Sequence, residues 1–114
     1  MAGKVGKIEI SLLGIGPGDR VLDVGCSVGT YSHPLARFGC VVRGIDNSVQ
    51  LVHEFNARAD QEGLDRAMCF ANVGDATALP YATSSFAAVL LIEVLEHVQN
   101  TNAVLSEVSR VLRP

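Results

Sequence analysis

Residues Val21-Leu22-Asp23-Val24-Gly25-Cys26-Ser27-Val28-Gly29-Thr30 constrain this chain most. An apolar run bounded by Gly reads as a buried strand, and the small residues after it as a tight turn. Tyr31, Leu35 and Phe38 then fall at helical spacing. A strand that turns sharply into a helix aims free backbone N–H groups and the positive end of the helix dipole at one point. Such a corner binds an anionic or polar ligand. Asp46 ends the next apolar run about 20 residues on, where a carboxylate grips a ribose diol. The pattern points to a nucleoside-containing cofactor.

The rest of the chain supplies the elements such a corner needs. The first clear strand covers residues 20–25, and a helix is expected over 30–38, with Pro34 in its first turn and Gly39 at its end. Val41 to Ile45 is the second strand. Ser48 caps a second helix with Leu51, Val52, Phe55 and Ala59 on one face, and Gly63 stops it. Ala67 to Ala71 reads as a third strand and residues 86–92 as a fourth. Asn100 or Asn102 starts a last helix with Val104, Leu105, Val108, Val111 and Leu112 as its buried stripe. Residues 4–13 form a weak segment, helix or strand, whose Val5, Ile8, Ile10, Leu12 and Leu13 could pack on the core. Strands alternating with helices predict an α/β fold, a parallel sheet covered on both faces. The unbroken apolar run Ala87 to Ile92 suits that burial.

At 114 residues and 48% hydrophobic, the chain is expected to form one domain, residues 1–114. A net charge of −3 gives no bulk attraction to nucleic acid. Arg110 and Arg113 fit dipole compensation at a helix end. No run is long enough to span a bilayer, and Met1-Ala2-Gly3-Lys4 lacks a signal segment. Cys26, Cys40 and Cys69, odd in number and irregularly spaced, argue against a disulfide framework or a zinc site. They point to a reducing cytoplasm.

Four ordered blocks resemble the class I S-adenosylmethionine-dependent methyltransferases. The closest branch includes the ubiquinone/menaquinone-biosynthesis and sterol methyltransferases (methyltransferase type 11). The blocks are Gly18 to Cys26, Gly44 to Ser48, Gly74-Asp75-Ala76 through Leu79-Pro80-Tyr81, and Glu93 to Val98. The resemblance implies a Rossmann-like, doubly wound sheet of strand order 3-2-1-4, three layers thick and lacking the family's C-terminal strands. It implies S-adenosylmethionine as cofactor. Asp23 would orient the first loop and the cofactor's amino group, and Gly25, Cys26, Ser27 and Gly29 would line the methionine portion. Asp46 would take both ribose hydroxyls, Asn47 would lie against adenine, and Asp75 would take the adenine amino group beside the Ala76 backbone. Glu93 would sit by the methyl-donor end. Ser27 stands where the family usually has Gly, and Ala87 where it often has Asp.

His97 is a candidate general base near the reaction zone, although a packing or capping role fits it better. His33 and His53 read as ordinary helix residues, and Cys26 as a small packed residue rather than a nucleophile. The expected acceptor is a small or lipid-like molecule. An uncapped fourth-strand edge predicts a homodimer. The alternatives are a truncated, non-catalytic cofactor-binding or interaction module, and a serine hydrolase. For the latter, Gly25-Cys26-Ser27-Val28-Gly29 matches a Gly-x-Ser-x-Gly elbow followed by Asp75 and His97.

Overall fold

The computed structural model describes residues 4–5, 8–9, 14–92 and 94–114. β1 (Lys4–Val5) and β2 (Ile8–Glu9) pair antiparallel with each other, Val5 opposite Ile8. Ile10, Leu12 and Leu13 lie outside the described residues, as does Glu93.

The main sheet is parallel. It comprises β3 (Arg20–Val24), β4 (Val41–Asp46), β5 (Cys69–Val73) and β6 (Ala88–Leu90), in the order β5-β4-β3-β6. Numbered by position in this sheet, that is the predicted 3-2-1-4. α1 (Ser32–Phe38) links β3 to β4, α2 (Val49–Gln61) links β4 to β5, and α3 (Thr101–Val111) follows β6 after a 3-10 turn at Leu95–His97.

Strand periodicity divides the core. Val21 faces Leu35, Ala36, Val52 and Phe55 of α1 and α2. Leu22, Val24 and Ile45 face the other way and pack with Leu79, Phe86 and Val111 of α3. Because side chains alternate across a strand, Asp23 shares the α1 side with Val21. The polar residue most deeply set in the sheet is thereby aimed at the start of α1.

Local chemistry sets the ends of the elements. Gly39 closes α1 in the left-handed region at φ +110°, which costs glycine nothing. Ser48 accepts from the Leu51 amide and Asn100 from the Ala103 amide, capping α2 and α3.

Several boundaries differ from expectation, among them the start of α1, which lies at Ser32 rather than 30. The third strand starts two residues late, because Asp65 folds residues 65–68 into a turn by accepting from the Ala67 and Met68 amides. The fourth strand is short, pairing only Ala88–Leu90 with Val21–Asp23 of β3. Phe86, expected within it, instead forms an isolated parallel bridge to Leu112 two residues ahead of β6. Leu105 is 43% exposed rather than buried. It follows Val104 by one residue, about 100° round the helix, beyond the stripe formed by Val104, Val108 and Val111.

Candidate functional site

The strand tips β3, β4 and β5 and the turn after β6 surround a cleft of about 500 Å³. It opens at the carboxyl ends of the parallel strands, where α/β sheets bind ligands. Of the residues singled out in the sequence, Gly25, Asp46, Asn47, Asp75, Ala76 and His97 line it. Asp23, Cys26, Ser27 and Gly29 are not among its lining residues, and Glu93 lies outside the described residues.

Asp46 holds the corner together. Its Oδ2 accepts from the Ser27 amide at 2.9 Å, its Oδ1 from the Ser48 amide at 3.0 Å, and its backbone oxygen from the Gly74 amide at 3.0 Å. The Gly25 and Cys26 amides both donate to the Ile45 carbonyl, at 2.8 and 3.1 Å. One residue thus fixes the glycine turn, the start of α2 and the loop after β5. Each Asp46 carboxylate oxygen takes a single backbone donor here. One lone pair per oxygen remains, enough for a vicinal diol.

Ser27 adopts the turn conformation that glycine would favour, with φ +53°. Gly25 has φ +71°, and a Cβ built on it would lie 2.6 Å from Cγ2 of Val94. Any side chain at position 25 would therefore collide with the chain leaving β6.

Asp75 folds on itself: its Oδ1 accepts from the amide and hydroxyl of Thr77, both at 2.8 Å. These bonds hold its carboxyl below the ordinary value, so it stays ionised at the cleft mouth. Asp23 is 3% exposed and its Oδ2 accepts from the Ser32 hydroxyl at 2.8 Å. Burial raises its pKa to about 6; the Ser32 bond opposes the rise and the nearby Asp46 charge adds to it.

Cys26 is buried, and desolvation pushes its thiol up, which disfavours the thiolate a nucleophile needs and fits a packed residue. The hydrolase constellation does not assemble. Asp75 is committed to Thr77, and Ser27 lies outside the cleft that His97 lines.

Sequence reasoning missed two groups. Val24, Ile45 and Val73 form apolar walls because they are the last or next-to-last residues of parallel strands, a signal that was available. Arg110 and Glu107 form a clamp. Arg110 donates to the carbonyls of Leu79 at 2.9 Å and Tyr81 at 2.8 Å, and Glu107 accepts from the Leu79 amide at 2.8 Å. The pair, bridged at 2.7 Å, ties the loop that begins with Asp75 to α3. Arg110 therefore does more than answer the helix dipole.

The donor set suits S-adenosylmethionine. Two carboxylates face a cleft whose remaining walls are largely apolar, and its size is that of a small-molecule site.

Comparison with known proteins agrees. A family model described as a methyltransferase domain matches residues 22–114. The chain is 36% identical over 103 residues to a sterol 24-C-methyltransferase of Schizosaccharomyces pombe, covering 90% of this chain and 27% of that protein. It is 39% identical over 96 residues to norajmaline N-methyltransferase of Rauvolfia serpentina, covering 83% and 32% respectively. It thus spans about a third or less of these two relatives' length.

Among solved structures, an S-adenosylmethionine-dependent methyltransferase of Methanosarcina mazei superposes with a TM-score of 0.81 at 29% identity, covering 92% of this chain and 52% of that one. The cyclase SpnF superposes at 0.85 and 28% identity, covering 91% and 40%. A matched model over most of the chain, the sheet order and the cleft at the strand tips lead to one conclusion. The chain belongs to the class I S-adenosylmethionine-dependent methyltransferases.

Proposed function

We propose that the chain binds S-adenosylmethionine in the cleft at the strand tips and serves methyl transfer to a small or lipid-like acceptor. The observation that carries this reading is Asp46, whose side chain is pinned by two backbone amides yet keeps acceptor capacity toward the cleft. In this reading Asp46 receives the ribose hydroxyls, Asn47 lies against the adenine, and Asp75 with the Ala76 backbone meets its amino edge. Gly25 faces the methionine portion, with Cys26, Ser27 and Gly29 shaping the turn. Asp23 anchors that turn through Ser32 and adds negative charge beneath the cofactor's ammonium. Glu93 belongs at the methyl-donor end.

Bound S-adenosylmethionine supplies an electrophilic sulfonium methyl. The chain's part is to hold the donor so that an acceptor atom approaches in line. Fixing two reactants in this way lowers a barrier without a dedicated base. In this reading His97, exposed and lining the cleft, takes a proton from an acceptor that must lose one. The relatives named for a sterol and for norajmaline support a small or lipid-like acceptor. Nucleic acid is not part of the reading. The buried cysteines suit a cytoplasmic setting, and self-association through the outer edge of β6 completes it.

Calorimetric titration with S-adenosylmethionine and S-adenosylhomocysteine tests the proposal. Micromolar binding is expected, weakened more than about a hundredfold by Asp46→Ala, which removes two charge-assisted bonds. A folded chain with no affinity for either ligand overturns it. Sedimentation as a monomer at high concentration removes the self-association part alone. The runner-up, binding without transfer, draws on Val94, whose methyl lies against Gly25 at the floor of the cleft. Ligand binding without methylation of any acceptor in a panel of sterols and amines would favour it.

A further inference from the structure

His33 is the one described histidine that the cleft does not use and the solvent does not reach. It sits in the first turn of α1, 5% exposed, with its ring edge-on to Phe55 of α2 at 4.6 Å between centroids. Its two nitrogens face different surroundings. Nδ1 lies 4.0 Å from Oε2 of Glu62, whereas Nε2 is buried without a hydrogen-bond partner. A neutral imidazole carries one hydrogen, and a buried N–H without an acceptor costs more than a bare lone pair in contact with carbon. The hydrogen therefore belongs on Nδ1.

Nε2 does have a neighbour, Gly29. A Cβ on Gly29 would overlap the ring at Nε2, Cε1 and Cδ2, so the ring edge is packed directly on the Gly29 Cα. Gly29 is held at φ +96°, donates to the Cys26 carbonyl at 3.1 Å and accepts from the His33 amide at 3.0 Å. It is thus the far end of the turn that opens with Gly25.

We propose that His33 is a positioning residue for the cofactor turn: its neutral ring braces Gly29, and a proton on Nε2 forces the turn out of its cofactor-accepting shape. This rests on the assignment of the cofactor site above. A protonated Nε2 would be a buried donor aimed at an aliphatic carbon, and the contact could persist only by separating.

Beside the ring lies a cavity of about 190 Å³, bounded by Val28, Thr30, Arg37, Arg58 and Glu62, which leaves the ring room to move. The charged groups facing the ring are Glu62 at the end of α2, Arg58 in its last turn and Arg37 on α1 itself. Burial pushes the imidazole below its ordinary value against the pull of Glu62 and of the Phe55 backbone, and both arginines act in the same direction as burial. The brace is therefore intact at neutral pH and fails on acidification.

The deciding measurement is nuclear magnetic resonance of the full chain without ligand, between about pH 8 and 5. The histidine Cε1–H signals give the midpoint of each ring, and the Gly29 amide is followed beside them. The Gly29 signal is expected to move with the His33 midpoint and not with those of His53, His97 or Asp23. A Gly29 signal that stays still while His33 titrates, or that follows another group, or a His33 ring that stays neutral throughout the range, overturns the proposal. This measurement needs no variant, so it decides even if a substituted chain does not fold.

Affinity for S-adenosylhomocysteine supplies the functional arm. Over the same range wild type should lose more affinity than His33→Leu, which keeps Asp23 but cannot protonate at position 33. Equal losses overturn the link to the cofactor. No binding by wild type at about pH 8 instead sinks the cofactor site itself, while Gly29 still reports on the brace.

Discussion

A carboxyl group inside a parallel sheet favours its neutral form, and Asp23 shows how far. With its pKa raised by burial to about 6 from an ordinary 3.8, the folded state holds a proton that the unfolded state has released. Its contribution to stability is therefore complete below about pH 4 and lost as pH rises through about 6, on the order of 3 kcal/mol in all. Asp23→Asn keeps an acceptor for Ser32 and no longer titrates. The variant should gain stability over wild type at neutral pH by up to that amount, and the gap should close by about pH 4. Urea unfolding of both chains at the two pH values checks it. The same variant should bind S-adenosylhomocysteine less tightly, because the charge that costs stability is the one proposed to face the ammonium group. Ser27 offers the converse case. A left-handed backbone costs a non-glycine residue about 1–2 kcal/mol, and glycine returns part of this through a more flexible unfolded chain. Ser27→Gly should gain up to about 1 kcal/mol in urea unfolding and leave cofactor affinity intact.

At the scale of elements, α3 carries two tests. Leu105→Lys should change stability by less than about 0.5 kcal/mol, whereas Val104→Ala should cost about 1–2.5 kcal/mol, since only the latter leaves a void. Equal costs would mean that Leu105 is buried after all. Arg110→Ala should weaken S-adenosylhomocysteine binding several-fold by freeing the loop that begins with Asp75, and Arg110→Lys should not restore it, because an ammonium cannot span the Leu79 and Tyr81 carbonyls together. These cases also mark what the sequence conveyed. Apolar runs, small-residue turns and caps such as Ser48 and Asn100 are local signals, and the elements and their order were legible from them. So were the glycine turn and Asp46, whose places follow from strand ends, whereas Asn47 and Asp75 entered through the family resemblance. The Arg110–Glu107 clamp joins residues about thirty apart in the chain, and the Gly29–His33 contact requires knowing which way a seven-residue helix turns its first ring. Neither leaves a periodic trace. The α3 stripe was overread because Leu105 is apolar without being on the apolar face.

For the whole molecule, the cleft draws on β3, β4, β5 and the turn after β6, so filling it should tie together elements distant in sequence. A ligand bound only by the folded state at a hundred times its dissociation constant adds about 2.7 kcal/mol. S-adenosylhomocysteine should raise the thermal midpoint of the wild-type chain and leave that of Asp46→Ala unmoved. The three cysteines allow this to be followed without a spectroscopic label. Cys26, Cys40 and Cys69 sit in one core cluster, at the turn after β3, the end of α1 and the start of β5. Burial raises all three thiols, Cys69 to about 12. An alkylating reagent can reach them only when the structure opens, so the rate at which each is modified clocks the opening of its own neighbourhood. Three natural timers, one at the cofactor turn and two farther from it, would tell local fraying of that turn from global unfolding.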